Sequence, residues 1–213
     1  MSNKLDTKAA VLIKKRIIKL ININLKKPKK GQALVKILYS GICASQHMEF
    51  NFLRGPDRWI PHMLGHEGVG IVEEIGRGVK RIKKGDRVIL SWLNNNNKDV
   101  KGSLIYNKKK INYGPVTTFA NYSLISENRL YKIPKSMDLE TAALYGCAIP
   151  TGMGVVINEA KPKKIDVCLV AGLGGVGIFS LIALKSIGIK HIIGLDINNK
   201  KIKLLKSAGF KNL

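Results

Sequence analysis

The stretch from Asp166 to Asp196 constrains this chain most, because Gly172, Gly174, Gly175 and Gly177 crowd into six residues between two apolar runs. Val167 to Ala171 is a short, β-leaning run ahead of the glycines, and a long apolar-faced segment follows them to Ile187. Gly188 reads as the stop of that helix, and His191 to Leu195 reads as a second strand ending on Asp196. Strand, glycine loop, helix, strand and acid, in that order, are the first βαβ unit of a dinucleotide-binding sheet. Gly172 permits a tight turn off the strand, Gly174 lets the backbone approach a pyrophosphate, and Gly177 lets the helix pack on the strand. Gly175 and Val176 complete the loop, where the unpaired N–H groups and positive dipole end of the helix face the phosphates. Asp196 lies about 20 residues on, where a carboxylate accepts hydrogen bonds from an adenosine ribose 2′-OH. The same carboxylate repels a 2′-phosphate, so the expected cofactor is NAD rather than NADP.

Val167 to Leu184 carries no charge and reaches the length of a membrane span. Glycines fill its first third, however, and Asp166 and Lys185 bracket it, so a buried strand and helix are expected and no membrane span. The chain has 213 residues, enough for one large domain or two small ones. Its net charge of +23 raises the question of a nucleic-acid partner. The lysines are scattered, in 26–30, 108–110, 161–164 and 200–206, without the interleaved aromatics of a single-strand platform. Lys, Asn and Ile are abundant throughout, so the charge follows overall composition and nucleic-acid binding is not expected. Three scattered cysteines, Cys43, Cys147 and Cys168, make no disulfide framework. Lys14, Lys15, Arg16 and Lys19 interrupt the only apolar N-terminal run, so no signal peptide is expected and the protein is placed in the cytoplasm.

Before the glycine loop the pattern is that of a β-rich module. Ala33 to Tyr39 predicts a strand, and Gly41 to His47 a glycine-initiated turn running into a short helix. Arg54 to Asp57 predicts a loop, and the glycine-broken runs from Gly65 to Val88 a small β-barrel. Residues 94–110 read as an exposed polar loop, and Thr117 to Ile125 as a strand. A helix capped by Ser136 or Asp138, with Glu140 in its first turn, is expected to carry Cys147. Cys43, His66 and Cys147 have the donor types of a catalytic zinc with an open fourth position. Their spacing does not show that they converge. On spacing alone, two small buried thiols and a hydrogen-bonded core histidine are the stronger reading.

Several motifs taken together carry a resemblance. They are Gly41-Ile42-Cys43, Gly65-His66-Glu67-Gly68, Gly85-Asp86-Arg87-Val88, Thr118-Phe119, Cys147-Ala148-Ile149-Pro150-Thr151-Gly152 and Gly172 through Gly177. Collinear from about residue 30 onward, they resemble the zinc-dependent medium-chain alcohol dehydrogenases. The resemblance implies a β-barrel-like GroES-like catalytic domain over 1–148, followed by the start of an α/β Rossmann domain over 149–213. It implies that Cys43, His66 and Cys147 hold one catalytic zinc with Glu67 as close neighbour, and that Thr151 lies near the nicotinamide end of NAD. It implies that the Ser45 hydroxyl bonds the substrate oxygen and starts a proton relay. The implied reaction passes hydride between a zinc-bound alcohol and NAD, the substrate being a small alcohol, aldehyde or ketone, and family members suggest a homo-oligomer.

The departures are specific. Gln46 stands where relatives often have an acid, and Met48 where some have the relay histidine; His47 is one position early. His62 has no counterpart and is expected to be a surface or packing histidine, while Cys168 is expected to be a buried hydrophobe. The lobe after the Gly-Asp-Arg-Val strand has no cysteine, so no structural zinc and one metal per chain are expected. Only two strands of a six-stranded doubly wound sheet can be assigned. A truncated or incomplete form is therefore expected, poorly active alone and retaining zinc better than cofactor.

Overall fold

Alternation of apolar and charged residues near the N-terminus produces an antiparallel hairpin, β1 (Leu5–Lys14) and β2 (Ile17–Leu25), with Leu5 opposite Leu25 and Lys14 opposite Ile17. Ala9, Val11, Ile21, Ile23 and Leu25 point inward, and the lysines between them face solvent. The computed structural model describes residues 5–94, 98–100, 102, 104–106 and 109–213, with Lys109 in its backbone only. By contacts the chain divides into two compact units, Met1–Cys147 and Ala148–Leu213.

In the first unit a five-stranded antiparallel sheet is built from β3 (Gln32–Ser40), β5 (Glu67–Ile75), β6 (Arg87–Ser91), β9 (Tyr122–Ser126) and β10 (Leu130–Lys132). Its spatial order is β10-β6-β5-β3-β9. Val35, Val72, Val88, Leu90, Ile125 and Leu130 fill one side of it. The two-residue β4 (His62–Met63) extends the hairpin sheet along β1. Helix α1 (Ala44–Asn51) follows β3, and α2 (Leu139–Leu144) packs on Val69 and Ile89 through Ala142 and Ala143.

Three expectations are corrected here. The strand expected over Thr117–Ile125 begins only at Tyr122. The hydroxyls of the two threonines bond side chains instead, Thr117 to Ser123 at 2.7 Å and Thr118 to Ser40 at 2.7 Å, and the Phe119 amide donates to the Leu64 carbonyl. Asp138 does cap α2, accepting from the Thr141 amide at 2.8 Å, but the helix stops at Leu144 and Cys147 lies in the turn beyond. Gly146, in the same turn, approaches β5 closely: a Cβ there would sit 2.7 Å from Glu67 Cα. The exposed loop expected over 94–110 contains, in its described part, the hairpin of β7 (Leu104–Tyr106) and β8 (Lys109–Ile111). Leu104 and Ile111 are buried, a two-residue signal submerged among lysines and asparagines.

That lobe is fastened by charge. Asp99 accepts from the Arg129 guanidinium at 2.8 and 2.7 Å and from Asn128 at 3.1 Å. Arg129 therefore holds the Asp99 carboxyl below the usual carboxylate range, against the opposing effect of burial. A carboxyl whose folded-state pKa is depressed stabilises above its unfolded pKa and loses that contribution as pH falls through the folded value. Asp99→Asn is thus expected to cost about 1 kcal/mol at neutral pH, partial exposure being allowed for. Thermal melts of variant and parent should begin to draw together as pH falls past the ordinary carboxylate pKa of about 4 and converge only below the depressed folded value; a gap that does not narrow on acidification would dismiss the charge argument.

In the second unit α3 (Ala148–Gly154) leads through a π-helical segment, Val155–Ala160, to β11 (Val167–Ala171). The glycine loop, α4 (Gly175–Ser186) and β12 (His191–Leu195) follow, with β12 parallel to β11 and Ala171 opposite Leu195. The unit closes with α5 (Asn199–Ser207). Leu173, Leu181 and Leu205 form one core cluster, and Val156, Ala183, Leu184 and Ile189 another. Val167, Leu169 and Leu195 are exposed. The uncharged run at 167–184 thus divides into strand, loop and helix, and among the described residues no helix is long and apolar enough to cross a membrane. A barrel-like β domain followed by the opening of an α/β domain is the fold class expected from the sequence.

Candidate active site

Three turns bring the donors together. Cys43 is the N-cap of α1, in extended backbone. His66 stands between Gly65, whose φ of 87° is left-handed, and the first residue of β5. Cys147 occupies the turn after α2. One ligand atom from each lies within 4.8 Å of the others. Ligand atoms around a tetrahedral zinc are roughly 3.5 Å apart, so side-chain adjustment of about 1 Å suits the set to that ion. Two thiols and one imidazole are the donor chemistry of a catalytic zinc with an open position. Burial pushes His66 below the ordinary imidazole range, with Glu49 opposing, which favours the neutral form that ligates.

Glycines hold this geometry. Glu67 is only 2% exposed, and a Cβ at Gly41 would sit 2.7 Å from its carboxyl carbon. Gly146 closes on the same residue from the other side. The Ser40 hydroxyl donates to the Glu67 carbonyl at 3.0 Å and meets Thr118 Oγ1 at 2.7 Å, fixing the backbone next to His66. Ser40 was not visible in the sequence as a site residue; its only signal is its place before Gly41.

Ser45 lies in the first turn of α1, two residues beyond Cys43. Gln46 is buried, donates from Nε2 to the Glu49 carboxylate, and leaves Oε1 without a partner among the described residues. His47 is exposed. A cavity of about 840 Å³ reaches His66 past Met48, Phe52, Trp59, Leu64 and Trp92. His62 is half-buried on its wall, bonded to Asp57 at 2.8 Å and to the Met63 carbonyl at 3.0 Å.

The second unit carries the other candidate residues. Gly172 turns off β11 at φ 91°, Gly174 is the N-cap of α4 without a side-chain cap, and Gly175 and Val176 begin the helix. Space is open beside Gly172 and Gly174, whereas a Cβ at Gly177 would be driven into the Gly172 carbonyl. This is the distribution that a phosphate cradle on a helix N-terminus requires. Thr151 lies in α3, its hydroxyl buried and without a partner among the described residues. Asp196 accepts from the Leu173 amide at 2.7 Å, from the Asn198 amide at 2.8 Å and from Lys201 at 3.1 Å. The Asn198 amide first, then Leu173 and Lys201, hold its carboxyl below the usual range. The acid is thus already fastened to the glycine loop, and Lys201, one turn into α5, is a neighbour that the loop-and-acid pattern did not flag. Cys168 is half-buried in β11 and belongs to neither group.

Comparison with known proteins follows the same division. Residues 29–135 match the family described as the alcohol dehydrogenase GroES-like domain. The chain is 32% identical to the alcohol dehydrogenase class-3 of Cereibacter sphaeroides, over 92% of this chain and 59% of that protein. It is 34% identical to alcohol dehydrogenase 6 of Peromyscus maniculatus, over 95% of this chain and 60% of that one. The crystal structure of benzyl alcohol dehydrogenase from Acinetobacter calcoaceticus is similar at a TM-score of 0.85 and 28% identity, over 98% of this chain and 63% of that one. The chain thus spans 59–60% of the length of these two curated relatives.

Proposed function

Since the chain belongs to the zinc-dependent medium-chain alcohol dehydrogenase family, we propose that it serves the NAD-linked oxidation of an alcohol, or the reverse reduction of an aldehyde or ketone. The observation that carries this reading is the meeting of Cys43, His66 and Cys147 in a chain that also holds an open glycine loop on a helix N-terminus. Cys43, His66 and Cys147 would hold a zinc ion, which would supply Lewis-acid polarisation of the substrate oxygen, and bound NAD would supply the hydride acceptor.

The chain's own residues do the rest. Cys43 and Cys147 supply negative charge as thiolates, and neutral His66 adds a donor without further charge. The Ser45 hydroxyl takes the substrate's hydroxyl proton and passes it on; with Met48 and exposed His47 in place of a relay histidine, solvent or a cofactor ribose completes the path. Buried Glu67 sets the electrostatics behind the donor set. The cavity beside His66 receives the substrate's carbon skeleton against Met48, Phe52, Trp59 and Leu64, which excludes water from that side. In the second unit the amides following Gly174 receive the pyrophosphate, Asp196 accepts the adenosine ribose hydroxyl, and Thr151 meets the nicotinamide end. Three free cysteines, two of them in the donor set, accord with a reducing, cytoplasmic setting.

The test is metal analysis of the purified protein together with titration by NADH and an alcohol-dependent assay. The expected result is one zinc per chain, a change in NADH fluorescence, and NADH formation from an alcohol that is slow for this chain alone and stops when the metal is chelated. Absence of metal from the wild-type protein, under conditions that load zinc enzymes, would end this reading.

A further inference from the structure

The turn of the N-terminal hairpin reaches the helix that carries Cys43. Arg16, in the two-residue turn between β1 and β2, is left-handed with φ 59°, a conformation unfavourable for a residue with a Cβ. Its backbone N–H donates to the Phe50 carbonyl at 2.9 Å, and its Nε donates to Asn51 Oδ1 at 2.7 Å. Asn51 is 8% exposed and sends its Nδ2 back to the His47 carbonyl at 3.0 Å. Both Phe50 and Asn51 belong to the last turn of α1, which has no basic residue of its own. The Phe52 amide caps Glu49, and the Leu53 amide caps Met48. Of the last-turn carbonyls, that of Phe50 is satisfied from outside the helix, by Arg16.

An eight-residue helix is too short to hold itself together in water. The opposite end of α1 carries Cys43 as N-cap without a side-chain cap bond, with Ser45 and Gln46 in its first turn. We propose that Arg16 is a positioning residue for the metal centre: it closes the C-terminal end of α1 with one amide, one guanidinium and a favourable positive charge, and thereby fixes where the helix presents Cys43. The left-handed turn is the conformational cost of presenting both donors to α1 at once, and strain of this kind persists where the surrounding contacts over-determine it. The proposal rests on the reading of Cys43 as a metal ligand.

Two variants of the full chain separate this role from ordinary stabilisation. Arg16→Gly removes the guanidinium but relieves the left-handed strain, and Arg16→Asn does the same while keeping a side chain tolerated at that φ. Cobalt(II) serves as probe, its affinity measured by competition with a chromophoric chelator and its coordination by the thiolate-to-cobalt absorption. Arg16→Gly is expected to hold or raise the thermal midpoint of the metal-free protein while weakening cobalt binding about tenfold, the lower end of effects beyond the direct ligands. Arg16→Asn is expected to weaken it similarly, Arg16→Lys to restore most of it, and Lys15→Asn, in the same exposed turn, to leave it unchanged. Cobalt affinity within twofold of wild type in both Arg16→Gly and Arg16→Asn would overturn the proposal, whatever their midpoints. Failure of the wild-type protein to give thiolate-to-cobalt absorption would overturn the ligand reading itself, and this proposal with it.

Discussion

Cys147→Ser is expected to leave the first unit folded and to weaken its zinc affinity by more than about 100-fold, beyond the 10–100-fold typical of partners outside the ligand set. The substitution exchanges a single atom at a site only 8% exposed, so packing changes little. What changes is the donor: a thiol that ionises on the metal becomes a hydroxyl that does not. Competition with a chromophoric chelator measures the affinity, and the thiolate-to-cobalt band of the cobalt-loaded protein should fall by about half, since one of two sulfurs is lost. Cys168→Ser is the internal control, because that thiol lies in β11, outside the donor set. Equal zinc affinity in the Cys147 and Cys168 variants would remove Cys147 from the site.

The second large effect separates two glycines three residues apart. A Cβ at Gly177 would be forced against the carbonyl of Gly172, backbone against which no rotamer can yield, so Gly177→Ala is expected to destabilise the second unit by about 3 kcal/mol. NADH binding should be lost with it. At Gly174 nothing lies within 4 Å of an added Cβ, and the backbone there is extended rather than left-handed. Gly174→Ala should therefore leave the melting of the second unit nearly unchanged yet still weaken NADH, because the methyl occupies the space into which phosphates approach. Fluorescence titration beside thermal melts distinguishes the two. A Gly174→Ala variant that binds NADH as wild type does would remove the loop from cofactor binding.

How much of this was legible beforehand depends on whether the responsible contact was local in sequence. The βαβ stretch was readable because its strand, glycines, helix and acid are contiguous, and the structure sets β12 parallel to β11 as that order requires. The convergence of Cys43, His66 and Cys147 was not readable from spacing, since it depends on three turns far apart in the chain; only the resemblance named the set. The cap of α2 at Asp138 is legible in the sequence, whereas the turn that carries Cys147 packs Gly146 against Glu67, a contact across many residues. The β7–β8 hairpin was hidden because its inward signal is carried by Leu104 and Ile111 alone. Arg16 gave no signal at all: its partners on α1 are apparent only once the hairpin is folded.

The positions of the two thiols have a thermodynamic consequence for the first unit as a whole. Cys43 and Cys147 are separated by most of that unit's sequence, with His66 between them, so an ion bound to all three closes a loop on the order of a hundred residues. Occupancy and folding are then linked equilibria. Free zinc at 100 times its dissociation constant adds about 2.7 kcal/mol to the unit's stability, provided the unfolded chain does not bind it. The same linkage runs in reverse. An opening of the β domain that separates Cys43 from Cys147 would break the donor set, so the part of metal loss that does not depend on chelator concentration would report how often this domain opens.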